Sequence, residues 1–343
     1  MPSSARLGGL DALRGIASLA VCWLHLTNSY SIESVVRASG SRGWLGVQAF
    51  FVISGFVIPY AMHKGGYVLG KNWATFIGKR VLRIDPPYLA AALLALVLAY
   101  AAASVPQFRG QQPHFSAMQL LLHLGYLNAI VGYPWLNDVF WTLAIEFQYY
   151  LVISLVFGWL GSRQGLRRWV VAVPFLVLPF FFHLNTWVFQ FLNLFLLGIT
   201  AFQYRIGVVG RLEACALLAL ASLSVWLTRD WMVMCVGLGT TLVILANWEF
   251  GRWRPLMFLG SISYSLYLIH VPIGGRVVNL GRRYVETQAG EWLLSGLALV
   301  ICLVCATLFW RWIERPAQQW ASRIQYRKQG AAIPAGPNGQ PSP

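Results

Sequence analysis

Residues 10–28 read Leu-Asp-Ala-Leu-Arg-Gly-Ile-Ala-Ser-Leu-Ala-Val-Cys-Trp-Leu-His-Leu-Thr-Asn. The stretch is apolar enough to cross a bilayer as a helix, yet it carries Asp11, Arg14 and His25. Arg14 and His25 stand eleven positions apart, and at about 3.6 residues per turn that spacing returns within about 20° of the same direction. They share one face, roughly 16 Å apart along the axis, with Ser18 and Val21 between them. A charge or titratable ring inside a bilayer costs several kcal/mol unless it faces protein or a wet cavity. The helix is therefore expected to turn a polar seam inward, with other helices closing around it.

The rest of the chain agrees with a membrane setting. Its 343 residues are 57% hydrophobic and 11% charged, whereas a soluble domain carries about a quarter charged residues. The sixteen Trp and fourteen Tyr suit interfacial belts as well as cores. A net charge of +15 raises the question of nucleic acid, but the basic residues lie in loops between apolar runs and form no basic domain, so no nucleic-acid partner is expected. Arg14 within the apolar run, and the lack of a small-x-small cleavage site, argue for a retained anchor rather than a signal peptide.

Hydropathy predicts ten spans, at about 10–28, 44–62, 86–105, 139–160, 168–185, 187–204, 212–228, 231–248, 256–273 and 291–312. The fold class expected is an all-α integral membrane protein, a bundle of about ten transmembrane helices. With the N-terminus in the cytoplasm, nineteen Lys and Arg fall on the inner side and seven on the outer. That positive-inside bias places both termini in the cytoplasm. Leu120 to Val131 is apolar but too short to cross a core of roughly 30 Å, and reads as an outer-face or re-entrant segment. Residues 1–324 are expected to form one transmembrane domain. Residues 325–343, rich in Gly and Pro from Gln329 to Pro343, are expected to be a disordered cytoplasmic tail. No long polar stretch leaves room for a further soluble domain.

Several side chains in these spans could carry chemistry. Counted at about 1.5 Å per residue, His25 lies about 22 Å up the first span and His270 about 21 Å up its own. Glu146 lies about 10 Å below the outer boundary of a core about 30 Å thick. Three buried titratable groups are thus expected at one height in the outer half. His25 is the candidate general base, since a neutral imidazole can take a proton from a hydroxyl. Glu146 is the candidate carboxylate that orients it, or a group that binds the acceptor. For His270 two readings stand, a place in the site or an interhelical hydrogen bond. His63, His114, His123 and His183 sit at span ends or in loops, where solvated or interfacial roles are expected.

The loop from His63 to Pro87 carries Lys64, Lys71, Lys79, Arg80 and Arg83. It reads either as an anchor on anionic lipid or as a phosphate clamp, because Arg80 and Arg83 share a helical face and guanidinium forks bind phosphate bidentately. No Gly-rich nucleotide loop is present. Phe50-Phe51-Val52-Ile53-Ser54-Gly55-Phe56 places small residues among aromatics, which suits close helix packing. Cys302 and Cys305 form a CxxC inside a span without a His partner, which fits buried packing and not a metal or redox centre. No metal site is expected.

Taken in order, these stretches resemble the acyltransferase family 3 membrane proteins, which include bacterial O-acetyltransferases of lipopolysaccharide, exopolysaccharide and antibiotic sugars. Leu10-Asp11-x-Leu13-Arg14 with ten residues to His25 is similar to the family's Arg-x10-His signature, and Phe50 to Phe56 to its second-helix motif. Arg80-x-x-Arg83 followed by Pro86 is similar to its Arg-x-x-Arg loop, and Trp141-Thr142-Leu143-x-x-Glu146-x-x-x-Tyr150 to its Trp-Ser-Leu-x-x-Glu pattern. Gly260-x-x-Ser263-Tyr264-Ser265-Leu266-Tyr267-Leu268-x-His270-x-Pro272 and Glu314-Arg315-Pro316 complete the set. The resemblance implies a ten-helix fold and acyl transfer, commonly acetyl from cytosolic acetyl-CoA, to a carbohydrate hydroxyl. It implies activity roles for Arg14 and His25 and CoA-phosphate contacts for Arg80 and Arg83. Phe147 stands where many members have a second acid. No appended hydrolase-like domain like that of some members is expected, and a partner would have to supply one if the acceptor needs it.

The reading is therefore an acetyl-CoA-dependent O-acyltransferase of the cell's inner (plasma) membrane, using no metal, that modifies a carbohydrate or lipid-linked glycan acceptor. His25, Glu146 and Arg14 are the catalytic candidates, Arg80 and Arg83 hold the acyl donor, and Asp11, Tyr150, Tyr264 and His270 are candidate substrate contacts. The rival from another class is a proton-coupled transporter or flippase of a lipid-linked sugar, although no paired Gly/Pro-broken repeats are visible.

Overall fold

The computed structural model describes residues 8–105, 112–246 and 253–326. It is all helical, in the order α1 Gly8–Thr27, α2 Val35–Gly40, α3 Leu45–Gly65, α4 Leu69–Ala103, α5 Ala117–Leu122, α6 Asn128–Val131, α7 Trp141–Leu160, α8 Gly165–Val177, α9 Leu192–Arg205, α10 Arg211–Thr228, α11 Trp231–Leu245, α12 Arg254–Gly281, α13 Gln288–Phe309 and α14 Arg315–Arg323. A π-helical turn, Trp310–Glu314, joins the last two.

Helix ends follow local chemistry. Asp230 caps α11 by accepting the Val233 N–H at 2.9 Å, and Thr287 caps α13 through the Gly290 N–H, each satisfying a donor the first turn leaves free. Gly66 closes α3 in the left-handed conformation at φ 68°, as glycine alone does without strain.

A helix stands at each of the ten predicted positions. Among the described residues, seven helical stretches are long and apolar enough to cross a membrane: Gly9–Thr27, Val35–Gly65, Leu69–Ala103, Asp138–Leu160, Arg211–Thr228, Arg254–Tyr284 and Gln288–Arg323. The other three, α8, α9 and α11, have 13, 14 and 15 residues, or about 20–23 Å at 1.5 Å per residue. The apolar runs at 168–185 and 187–204 are cut by tight 3₁₀ turns at Leu178–Phe180 and Val188–Phe191, and hydropathy averages over such breaks.

Helix α9 is the hub of one half of the bundle. Every residue from Leu192 to Gln203 is buried, enclosed by α3, α8, α10 and α11. The other half is built on α1, which runs along α12 and also packs on α3. Both axes depend on glycine pairs. A Cβ on Gly260 would strike the Asp11 carbonyl of α1, and one on Gly198 would strike the Val52 carbonyl of α3. Small residues let apolar helices approach when no hydrophobic force separates helix from lipid. Leu93 and Val97 of α4 and Leu297, Val300 and Val304 of α13 are more than half exposed, the outward apolar face a lipid-embedded bundle presents. Arg168 of α8 grips Glu213 of α10 with two 2.7 Å contacts.

Between α4 and α7, helices α5 and α6 have six and four residues, too short to cross. They build a cap against α4, where Tyr126 donates to Asp85 at 2.8 Å and its ring lies 4.7 Å from that of Tyr88. His123, expected at a solvated or interfacial position, is buried within it. Its Nδ1 pairs with the Gln119 carbonyl at 2.8 Å and its Nε2 accepts the Leu136 N–H at 3.2 Å. Burial lowers its pKa, which keeps the ring neutral and structural. His63, His114 and His183 are exposed. Of the expected tail, Tyr326 packs 6.0 Å from the Tyr67 ring, and residues 327–343 lie outside the described residues.

Gly198→Ala should destabilise the protein by about 1–3 kcal/mol, read as a lower unfolding temperature in detergent. Gly239→Ala, whose Cβ meets nothing within 4 Å, should leave it unchanged or slightly raised. Equal behaviour of the two would contradict the close α3–α9 crossing.

Candidate functional site

Five helices converge on one cavity. Arg14 of α1, Arg80, Arg83 and Ile84 of α4, Ser54 and its neighbours on α3, Glu146 and Tyr150 of α7, and Tyr264 and Tyr267 of α12 all line it. It encloses ≈ 870 Å³ of space, the open solvent at its mouth included. Arg14 enters because α1 keeps that seam toward its α12 and α3 neighbours. Arg80 and Arg83 enter because the i, i+3 face of α4 turns toward α7 and α12.

The cavity is strongly cationic. Arg80 is 8% exposed; its guanidinium lies 5.3 Å from the Phe76 ring and 5.6 Å from the Tyr150 ring, and its Nε has no hydrogen-bond partner. Among the described residues Arg14, Arg80 and Arg83 form no salt bridge, so all three line the cavity without a paired carboxylate. Cations held in a protein cavity this way create a field that draws an anion. One counter-charge stands behind them. Glu314, 2% exposed, is within electrostatic reach of Arg14 and Arg83. It accepts the Ser265 N–H at 3.1 Å, the Ser265 hydroxyl, and the Gln318 Nε2–H at 2.7 Å.

Glu146 receives the Ser54 hydroxyl at 2.8 Å. The second-helix motif is thereby divided: Gly55 meets the Phe195 backbone of α9, while Ser54 faces the cavity. Tyr264 donates to the Ile84 carbonyl at 3.1 Å, tying α12 to α4. Tyr267 pairs with Thr142 at 2.6 Å and its ring abuts Phe50. With Val47, these three residues line the cavity, Tyr267 at the end nearest the imidazoles.

The imidazoles stand one helical turn beyond that end, since His270 follows Tyr267 by three positions on α12, with ring centroids 5.9 Å apart. His25 and His270 meet edge to face, centroids 5.0 Å apart. Of the three groups expected at one height, these two come together and Glu146 does not join them. The physical reason is lateral: α7 packs on α3, α4 and α8, whereas the principal neighbour of α1 is α12. Axial counting fixes depth and is silent about which helices touch. Asp11 is outside the cavity lining, its backbone pressed against Gly260.

Hydrogen bonding assigns the tautomers. His270 Nδ1 lies 3.0 Å from the Leu266 carbonyl, which only accepts, so this nitrogen carries the proton and Nε2 is a lone pair. His25 Nδ1 lies 2.8 Å from the Val21 carbonyl and 3.3 Å from His270 Nε2. It carries its proton toward both acceptors, leaving His25 Nε2 as the basic atom.

The comparisons with known proteins agree with this architecture. A family model described as "Acyltransferase domain" matches residues 7–312. The chain belongs to the acyltransferase 3 family. It is 25% identical over 368 residues to O-acetyltransferase OatA of Staphylococcus aureus strain NCTC 8325 / PS 47, a match covering 93% of this chain and 58% of the relative. It is 26% identical over 371 residues to acyltransferase MdmB of Streptomyces mycarofaciens, covering 94% of each chain. Over 171 residues it is 28% identical to the putative acetyltransferase ORF330 of Acidianus two-tailed virus, half of this chain and 46% of the relative. The chain thus spans little more than half the length of OatA. No solved structure matches it. Within this acyltransferase-family chain, Ser54, Tyr267, Thr142 and the Glu314–Ser265 support escaped residue-by-residue reading. All of them lay within the motifs given above, and the signal that could have marked Glu314 was a carboxylate at the end of an apolar run.

Glu314→Ala should destabilise the protein by on the order of 2–4 kcal/mol, because it takes the acceptor from the buried Ser265 hydroxyl and the Gln318 amide and leaves two arginines without their counter-charge. Glu314→Gln, which keeps an acceptor oxygen, should lose less in a thermal unfolding series. The reverse order would contradict this assignment.

Proposed function

We propose that the chain is a multi-pass O-acyltransferase of the cell's inner membrane, taking an acyl group, most simply acetyl, from acyl-CoA in the cytosol to a carbohydrate hydroxyl. The observation that carries this reading is the set of three arginines lining one cavity without a carboxylate partner. Such a cavity suits a polyanionic donor, and guanidinium forks suit its phosphates. The O-acetyltransferase and acyltransferase names of the relatives support the reaction class. The sequence's charge bias supports ten spans with both termini in the cytoplasm, residues 1–324 as the transmembrane unit and 325–343 as a tail. The arginine end of the cavity then faces the cytosol and the imidazole pair lies toward the outer side.

In this reading Arg80 and Arg83 hold the donor's phosphates and the thioester reaches along the cavity past Glu146. His25 Nε2 accepts the proton of the acceptor hydroxyl. The resulting oxygen attacks the thioester carbonyl, the carbon–sulfur bond breaks, and the proton passes from His25 to the leaving thiolate. Arg14 holds the seam and polarises the carbonyl oxygen. Glu146, with Ser54, accepts hydrogen bonds from the substrate. The acceptor is a glycan, free or lipid-linked.

Purified protein in nanodiscs, given acetyl-CoA and a sugar acceptor, should release free CoA thiol, and His25→Ala should lower that rate by about 10²–10⁴ while remaining folded. Arg80→Ala should raise KM for acetyl-CoA by about tenfold or more, the loss of one charge-assisted contact, and leave S-acetylpantetheine, which lacks the nucleotide phosphates, unaffected. Sugar translocation without thiol release, or full activity of His25→Ala, would overturn the reading.

A further inference from the structure

The His25–His270 pair is a contact that acyl transfer, as derived above, does not use. Both nitrogens of His270 are engaged, Nδ1 with the Leu266 carbonyl at 3.0 Å and Nε2 with His25 Nδ1 at 3.3 Å, and its side chain is wholly buried. Its own carbonyl receives the Cys302 thiol at 3.8 Å. His25 is only half-buried, and its Nε2 has no hydrogen-bond partner among the described residues.

We propose that His270 is a positioning residue that fixes the tautomer of His25, through a neutral imidazole rather than a carboxylate. The inference rests on His25 being the base. A base works only if its reactive nitrogen is the unprotonated one, and in an imidazole that is set by what the other nitrogen bonds. The Val21 carbonyl alone lies on the helix of His25 itself and turns with it. His270 adds an acceptor from a second helix, so the ring plane is held against α12. When His25 Nε2 takes a proton, positive charge spreads to the Nδ1–H, and the His270 lone pair facing it stabilises that charge. His270 cannot pass the proton further, since its Nδ1–H meets a peptide carbonyl. The proton therefore stays available to return to the departing thiolate, and the reaction balances as alcohol plus thioester giving ester plus thiol. An imidazole also avoids the cost of seating an anion inside a bilayer.

The test is a pair of substitutions. His270→Leu retains bulk and removes the acceptor; His270→Gln can present its amide oxygen near the place of Nε2. Thiol release from acetyl-CoA should fall in kcat by about 10²–10³ for His270→Leu, below the roughly 10⁴ seen when an orienting carboxylate is replaced, with KM for acetyl-CoA within about twofold of wild type. His270→Gln should recover kcat to within about tenfold of wild type. A His270→Leu enzyme with wild-type kcat, or His270→Gln as impaired as His270→Leu, overturns the proposal. Should His270→Leu fail to fold, an inactive but folded His270→Gln overturns it equally. Failure of the underlying base assignment is separate, because there His25→Ala would itself be active.

Discussion

Charge that cannot be exposed to lipid must be turned toward protein, and that constraint organises this bundle. Three guanidinium groups, two imidazoles and two carboxylates lie on apolar helices, and each faces inward. The cost of leaving any of them toward hydrocarbon is several kcal/mol, which fixes the rotation of α1, α4, α7 and α12 about their axes. Rotation alone would leave the groups apart. Backbone contact at Gly15 and Gly260, and at Gly55 and Gly198, brings the helices close enough for short side chains such as Ser54 and Ser265 to reach carboxylates on neighbouring elements.

The same constraint divides the interior into two chemical zones. Near Arg80 the cavity is cationic, with Glu314 as a fixed counter-charge behind Arg14 and Arg83. Beyond Phe50, Tyr267 and Thr142 lie two imidazoles whose hydrogen bonds determine where protons sit. Anion binding and proton transfer need different surroundings, one rich in positive charge and one in which an imidazole stays neutral until it acts. One helix can carry groups of both zones, as α1 does with Arg14 in the first and His25 in the second.

Much of this was legible in the sequence because helical geometry is one-dimensional. The eleven-residue spacing of Arg14 and His25 put them on one seam, and the spacing of Arg80 and Arg83 put both on one face. The inability of Leu120 to Val131 to cross a membrane followed from its length. Lateral adjacency was not legible: depth counting brought Glu146 to the height of His25, but α12 rather than α7 lies beside α1, so His270 took the place expected of the carboxylate. Hydropathy also smoothed over the 3₁₀ turns that shorten α8 and α9, and it saw in Ser54 and Gly55 a single packing motif where one residue packs and the other faces the cavity. Glu314, at the end of an apolar run, carried no periodic signal that separated a buried counter-charge from an interfacial acid.

The central claim is that one cavity holds the acyl donor with its phosphates on the α4 arginines and its acyl end toward the imidazole pair. The most direct measurement is a cryo-EM structure of the protein in nanodiscs with a non-hydrolysable thioether analogue of acetyl-CoA. The account predicts pyrophosphate density in contact with Arg80 and Arg83, and the acyl carbon past Phe50 and Tyr267, near enough to His25 Nε2 for a bound hydroxyl to bridge them within about 3–3.5 Å of each reacting atom. An analogue seated outside the cavity, or one whose acyl end points away from His25 while its phosphates avoid both arginines, would contradict it.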